Sequence, residues 1–184
     1  MKRGLNCLVI VAFLLAVQII LISADPTVSP SSFSVTPSQN SSFTIIIINT
    51  EAVQVGGGTN PNITLVNITL PSSLLFWDGT NSSSASGIFA NTSSVLTWTN
   101  SSPGIVLPGE SITFSFKANA TSLGSFTIIV RTMNSTTTTA KNISLTVADT
   151  TSPLVTLNSP ENNNEDSDGV IVFNCNATDN SALN

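Results

Sequence analysis

"LPGESITFSFKANA" (Leu107–Ala120) decides the fold. Pro108-Gly109 is a turn signal, because proline presets one backbone angle and glycine accepts a positive one. Beyond it Ile112, Phe114, Phe116 and Ala118 alternate with Thr113, Ser115, Lys117 and Asn119. Side chains of an extended chain point alternately to opposite faces, so the first set belongs to a core and the second to solvent. The segment is a half-buried β-strand.

The same grammar runs outward in both directions. Upstream lie Ser32–Thr36, Ser42–Thr50, Ile63–Leu70, Leu74–Trp77 and Ser94–Thr99. Downstream lie Leu123–Thr132 and Lys141–Ala148. Ser42–Thr50 is apolar on both faces, as a central strand is. Val66, Ile68 and Leu70 share one side, as do Leu96 and Trp98, and Ile143, Leu145 and Val147. Gly56–Asn62 reads as a loop, and Asp78–Thr92, rich in Ser, Asn and Gly, as a long surface loop. No segment after residue 24 sustains a 3.6-residue period. Seven or eight strands with frequent turn signals predict an all-β fold, an antiparallel Ig-like sandwich over residues 27–148.

Residues 1–24 have the three parts of a secretory signal peptide: Lys2 and Arg3, the apolar run Leu8–Ile22, and Ala24 before a polar stretch. Cleavage after Ala24 places the protein outside the cytoplasm. A retained membrane anchor and a pilin-like leader are the alternatives, and a mature chain beginning near Asp25 excludes both. Cys7 precedes the apolar run and is misplaced for lipid attachment. Beyond residue 24, three basic residues (Lys117, Arg131, Lys141) face ten acidic ones, a net charge of −7. Phosphate backbones need a basic footprint, so nucleic acid is excluded as a partner.

Asp149–Pro153 reads as a linker, and residues 154–184 as the opening of a second domain. Leu154–Pro160 is one strand and Val170–Asn176 a second, buried strand, joined by the acidic loop Glu161–Gly169. "DTTSPLVTLNSPENN" (149–163) and "VIVFNCNATDNSALN" (170–184) resemble the start of the Ig-like domains of archaeal and bacterial cell-surface proteins, S-layer-associated or adhesin-like. "LPGESITFSFKANATSLGSFTIIV" (107–130) resembles the same class more loosely. The resemblance implies a disulfide from Cys175 to a cysteine on a later strand. No such cysteine follows, so the natural chain is expected to continue past Asn184.

Asn-x-Ser/Thr, the N-glycosylation acceptor pattern, occurs at Asn40, Asn62, Asn67, Asn81, Asn91, Asn100, Asn119, Asn134, Asn142 and Asn176. A chain this rich in Asn, Ser and Thr also makes such matches by chance, and about half are expected to stay unused. Asn119 falls on the outward phase of its strand. The acids of 161–169 fail the spacing of a calcium-binding EF-hand loop and read as solvated. Trp98 alternates with Leu96 and belongs to the core. Trp77 borders a loop and is the residue placed to stack on a ligand.

There is no histidine, hence no Ser-His-Asp triad and no His-based metal site. The acids of the first domain are scattered. The sequence therefore predicts a non-catalytic module without cofactor or metal, for adhesion, spacing or envelope assembly. Its expected partners are other envelope proteins or surface glycans, with membrane contact only through an uncleaved leader. The alternatives are a pilin-like subunit and a carbohydrate-binding module, the latter marked by glycan binding that Trp77→Ala abolishes.

Overall fold

The computed structural model describes residues 25–51, 61–135, 137–160 and 169–179. The leader with Cys7, most of the Gly56–Asn62 loop and nearly all of the acidic loop lie outside the described residues.

Eleven strands build the sandwich: β1 (Thr27–Ser29), β2 (Ser32–Val35), β3 (Asn40–Ile48), β4 (Leu65–Thr69), β5 (Leu74–Phe76), β6 (Ser82–Ser83), β7 (Ile88–Asn91), β8 (Val95–Thr99), β9 (Ser111–Ala120), β10 (Gly124–Met133) and β11 (Thr138–Val147). One sheet runs β1-β3-β9-β5, with β6 also on β9. The other runs β2-β11-β10-β4-β8-β7. In Ig lettering the first is A-B-E-D and the centre of the second is G-F-C. The segment β6–β8 is inserted between D and E, and its β7–β8 hairpin widens the second sheet beyond C. The fold is all-β, with no helix among the described residues.

The alternating residues account for the core. Phe43, Ile45 and Ile47 of β3 and Phe114, Phe116 and Ala118 of β9 line the inner face of the first sheet. Val66 and Ile68, Leu96 and Trp98, Ile128 and Val130, and Ile143, Leu145 and Val147 come from the second. Aromatic contacts thread between the sheets in one unbroken series. Phe33 meets Phe43 edge-on at 5.0 Å, and Phe43 stacks on Phe116 at 5.1 Å. Phe76 bridges Phe116 and Phe89, and Trp98 bridges Phe89 and Phe114.

The structure corrects five readings. Asp78–Thr92 is not one long loop, since it holds β6 and β7. Phe89 is the cause: half-buried, it sits 4.9 Å from Trp98 and draws its strand into the sheet. Among the described residues the sandwich accordingly has eleven strands. The short β1, interrupted before β2 by Pro30, was not legible. Pro30 has no N–H to give a ladder, and there the chain switches from one sheet to the other. β2 pairs parallel with β11, so the sandwich is not wholly antiparallel. β3 is central in its sheet but fully buried on one face only: on the other, Thr44 and Ile48 are exposed and Ile46 is half-buried.

The fifth correction concerns the C-terminal strand. β12 (Leu154–Ser159) and β13 (Asn174–Thr178) form a two-stranded antiparallel sheet of their own. Val170–Phe173 precede the strand, and every residue of β13 is exposed rather than buried. A hairpin buries side chains only against a second layer, and among the described residues no third strand joins this sheet.

Candidate functional site

Chemistry on this fold has to be sought on the outer faces, because the interior is filled by apolar side chains. Outward on the first sheet come Thr113, Ser115, Lys117 and Asn119 of β9, the antiphase of the buried Phe114, Phe116 and Ala118. Thr44 and Ser115 share a hydroxyl hydrogen bond at 3.3 Å across β3 and β9. Asn40 is the direct cross-strand partner of Asn119, and Leu75 flanks Asn119 from β5.

Trp77 stands at the end of β5 on this face and is 49% exposed. Its backbone N–H donates to the Lys117 carbonyl at 2.9 Å, continuing the β5–β9 ladder. The Thr80 hydroxyl donates to the Trp77 carbonyl at 2.5 Å and accepts from the Lys117 N–H at 3.0 Å. Gly79, at φ +75°, allows the tight turn. The indole is thus held on a fixed backbone, with the Lys117 ammonium 5.8 Å from the ring centroid. Leu75, 55% exposed, lies two residues back on the same face. Trp98 is buried, as its alternation with Leu96 requires.

The ten Asn-x-Ser/Thr positions occupy different environments. Asn40, Asn91, Asn142 and Asn176 are exposed, and the other six are half-buried. Asn62 donates through Nδ2 to the Pro103 carbonyl. It packs beneath Gly104, where an added Cβ would approach the Asn62 Cβ to 2.7 Å. Asn100 donates through Nδ2 to the Ser86 carbonyl at 3.1 Å. The Oδ1 atoms of Asn62, Asn67 and Asn119 are buried. Asn119 does lie on the outward phase, yet its Oδ1 is covered. Asn134 accepts from Thr137 through both N–H and hydroxyl, at 2.7 and 3.0 Å.

Asn49 was not singled out from the sequence. It is 1% exposed and gathers three segments. Its Nδ2 donates to the Pro61 carbonyl at 3.0 Å and the Val106 carbonyl at 3.1 Å, and its Oδ1 accepts from the Glu51 N–H at 3.2 Å. Its backbone N–H donates to the Glu110 carbonyl, and its carbonyl accepts from Gly109. The signal was present: Asn49 continues the buried phase of Phe43, Ile45 and Ile47, where a polar residue needs internal partners.

The remaining polar groups are dispersed. Lys141 pairs with Asp25 at 3.2 Å in an exposed bridge, which contributes about 0–1 kcal/mol. Among the described residues no three acids, cysteines or histidines converge. Cys175 is exposed, with a free thiol.

No protein-family model matches the chain, and no curated protein matches it. Solved structures are similar in the course of their strands. One is a variant of BcpA, the major pilin subunit of Bacillus cereus, at 13% identity and TM-score 0.49, covering 85% of this chain and 54% of that one. Another is the N-terminal domain of the Streptococcus gordonii adhesin Sgo0707, at 8% identity and TM-score 0.46, covering 67% and 32%. A third is BslA, a bacterial hydrophobin, at 12% identity and TM-score 0.41, covering 67% and 97%. The chain thus spans about half or less of the first two.

The ends of the sandwich bear on what it can do. Asp25 and Pro26 lie beside Asn49, Asn134 and Thr137, at the end where β11 begins. At the other end the Ala148 N–H bonds the Val35 carbonyl at 3.1 Å, and the Ser38 N–H bonds the Ala120 carbonyl at 2.9 Å. The chain enters at one end and leaves at the opposite one. Ten residues of β11 at about 3.4 Å each separate them by about 34 Å.

Proposed function

We propose that the chain is a non-catalytic module of the cell exterior, a spacer that holds partners apart in adhesion or envelope assembly. One observation carries this reading: the parallel register of β2 on β11, Ser32 on Ser144 through Val35 on Val147. Parallel terminal strands put entry and exit at opposite ends, so each such unit adds its length to a tandem array. A pull on the two termini slides β2 along β11 and loads their hydrogen bonds together. Dense β-pairing, a closed aromatic core and outer faces of Ser, Thr and Asn support the same role. The leader-like residues 1–24 support an extracellular site.

The test is made on the native cell. Antibodies to residues 32–147 label intact cells on this reading, and the mature chain begins near Asp25. Label confined to lysed cells overturns it. A mature chain that retains the apolar run while labelling intact cells replaces the cleaved leader by an anchored or pilin-like one.

A second reading, carbohydrate binding, is favoured by Trp77. Its exposed indole is held on a fixed backbone and offers a flat apolar surface beside the Lys117 ammonium. Loss of glycan binding in Trp77→Ala checks it, and a chain that binds no glycan removes it.

A further inference from the structure

We infer that the folded protein carries N-linked glycans at Asn40, Asn91, Asn142 and Asn176, and none at Asn62 and Asn100. The inference rests on the extracellular reading, because the transfer needs an acceptor chain outside the cytoplasm. The co-reactant is a lipid-linked oligosaccharide. The acceptor Nδ2 forms a bond to the sugar C1, while the bond from C1 to the lipid phosphate oxygen breaks. The proton lost by Nδ2 leaves with the lipid phosphate, and nothing is oxidised or reduced.

Two independent features separate the sets. The first is the acceptor amide, which must stay in solvent once a sugar hangs from it. Asn40, Asn91, Asn142 and Asn176 are exposed. Asn62 and Asn100 have Nδ2 committed to the carbonyls of Pro103 and Ser86, and a glycan displaces either bond.

The second feature is the hydroxyl two residues on. Ser42, Ser93, Ser144 and Thr178, which serve the first set, are all exposed. In the second set, Thr64, which serves Asn62, is half-buried and donates to the Met133 carbonyl. Ser102, which serves Asn100, is the exception, so at that position the amide alone decides. In β3 and β11 the period of two puts acceptor and hydroxyl side by side on the outward face, and in β13 every residue is exposed.

Sugars at Asn40 and Asn142 stand on the outer faces of opposite sheets, and the sugar at Asn91 stands on edge strand β7. Such a layout blocks face-to-face and edge-to-edge association of copies.

Glycopeptide mapping of the secreted, folded full chain from an N-glycosylating host tests the inference. The chain is made in parallel behind its own residues 1–24 and behind a host leader. The expected map is glycan at the four exposed sites and bare asparagine at Asn62 and Asn100. Asn40→Gln then lowers the mass by one glycan. Glycan at Asn62 or Asn100 in folded protein overturns the inference, and so does a chain left bare behind both leaders. Glycan at the expected sites behind the host leader alone upholds the site inference and overturns the reading of residues 1–24.

Discussion

Replacing Phe116 by Ala lowers the unfolding free energy by about 3–5 kcal/mol. Phe116 is 1% exposed on β9, the central strand of the first sheet. Its ring stacks on Phe43 with an interplanar angle of 8° and meets Phe76 edge-on at 6.4 Å. Truncation removes the apolar burial and opens a cavity. Its walls belong to paired strands and cannot close over it. A domain of this size has a total stability of about 5–15 kcal/mol, so the loss is a large share of the whole. With a urea slope of about 1–3 kcal/mol per M, the midpoint falls by about 2 M. Phe116→Leu keeps most of the volume and costs about 1–2 kcal/mol. Equilibrium urea unfolding of the three proteins checks the order. Equal midpoints for wild type and Phe116→Ala would show that the aromatic series is not what holds the sheets together.

Asn49→Ala is expected to cost about 2–4 kcal/mol, although no apolar contact is lost. The carbonyls of Pro61 and Val106 lose their side-chain donor, and the Glu51 N–H loses its acceptor. A buried polar group left without a partner costs about 1–3 kcal/mol. Asn49→Asp separates polarity from size. The carboxylate would face two carbonyl oxygens in a dry site, so its folded pKa is raised above the unfolded value. The neutral acid can still donate one hydrogen bond. Stability of this variant is therefore highest below the unfolded pKa and is lost as pH rises through the folded one. Thermal melts between pH 3 and pH 7 check this, with wild type as reference. A variant as stable as wild type at pH 7 would contradict the role given to Asn49.

The strands that carry their own alternation were legible. Ser111–Ala120 announces itself through four apolar residues at period two behind a Pro-Gly turn. Leu65–Thr69, Val95–Thr99 and Thr138–Val147 do so with three or fewer. What escaped depends on partners distant in the chain. Phe89 is a lone aromatic in a polar run, and only Phe76 and Trp98 make its segment a strand. β1 has three residues and one half-buried side chain, and the Ile46–Ile48 end of β3 holds it in place. The candidate sites divide the same way. The exposure of Trp77 followed from its place beside a turn. The burial of the Asn67 and Asn119 Oδ1 atoms did not follow from their outward phase. Phase tells which face a side chain takes, and the neighbouring strands decide whether that face is open. Asn49 was readable in principle, as the polar residue in the buried phase of β3.

The central claim is that entry and exit lie at opposite ends of a sandwich closed by β2 on β11. Single-molecule force spectroscopy tests it most directly, because forced unfolding reports the barrier along the pulling direction. Handles placed before Thr27 and after Val147 load the β2–β11 ladder in shear, all bonds at once. Handles at Ser122 and after Val147 pull on neighbouring ends of β10 and β11, where Gly124 opposes Val147, and open that ladder one pair at a time. The account predicts a several-fold higher unfolding force for the first geometry than for the second. An equal or lower force in the first geometry would contradict it.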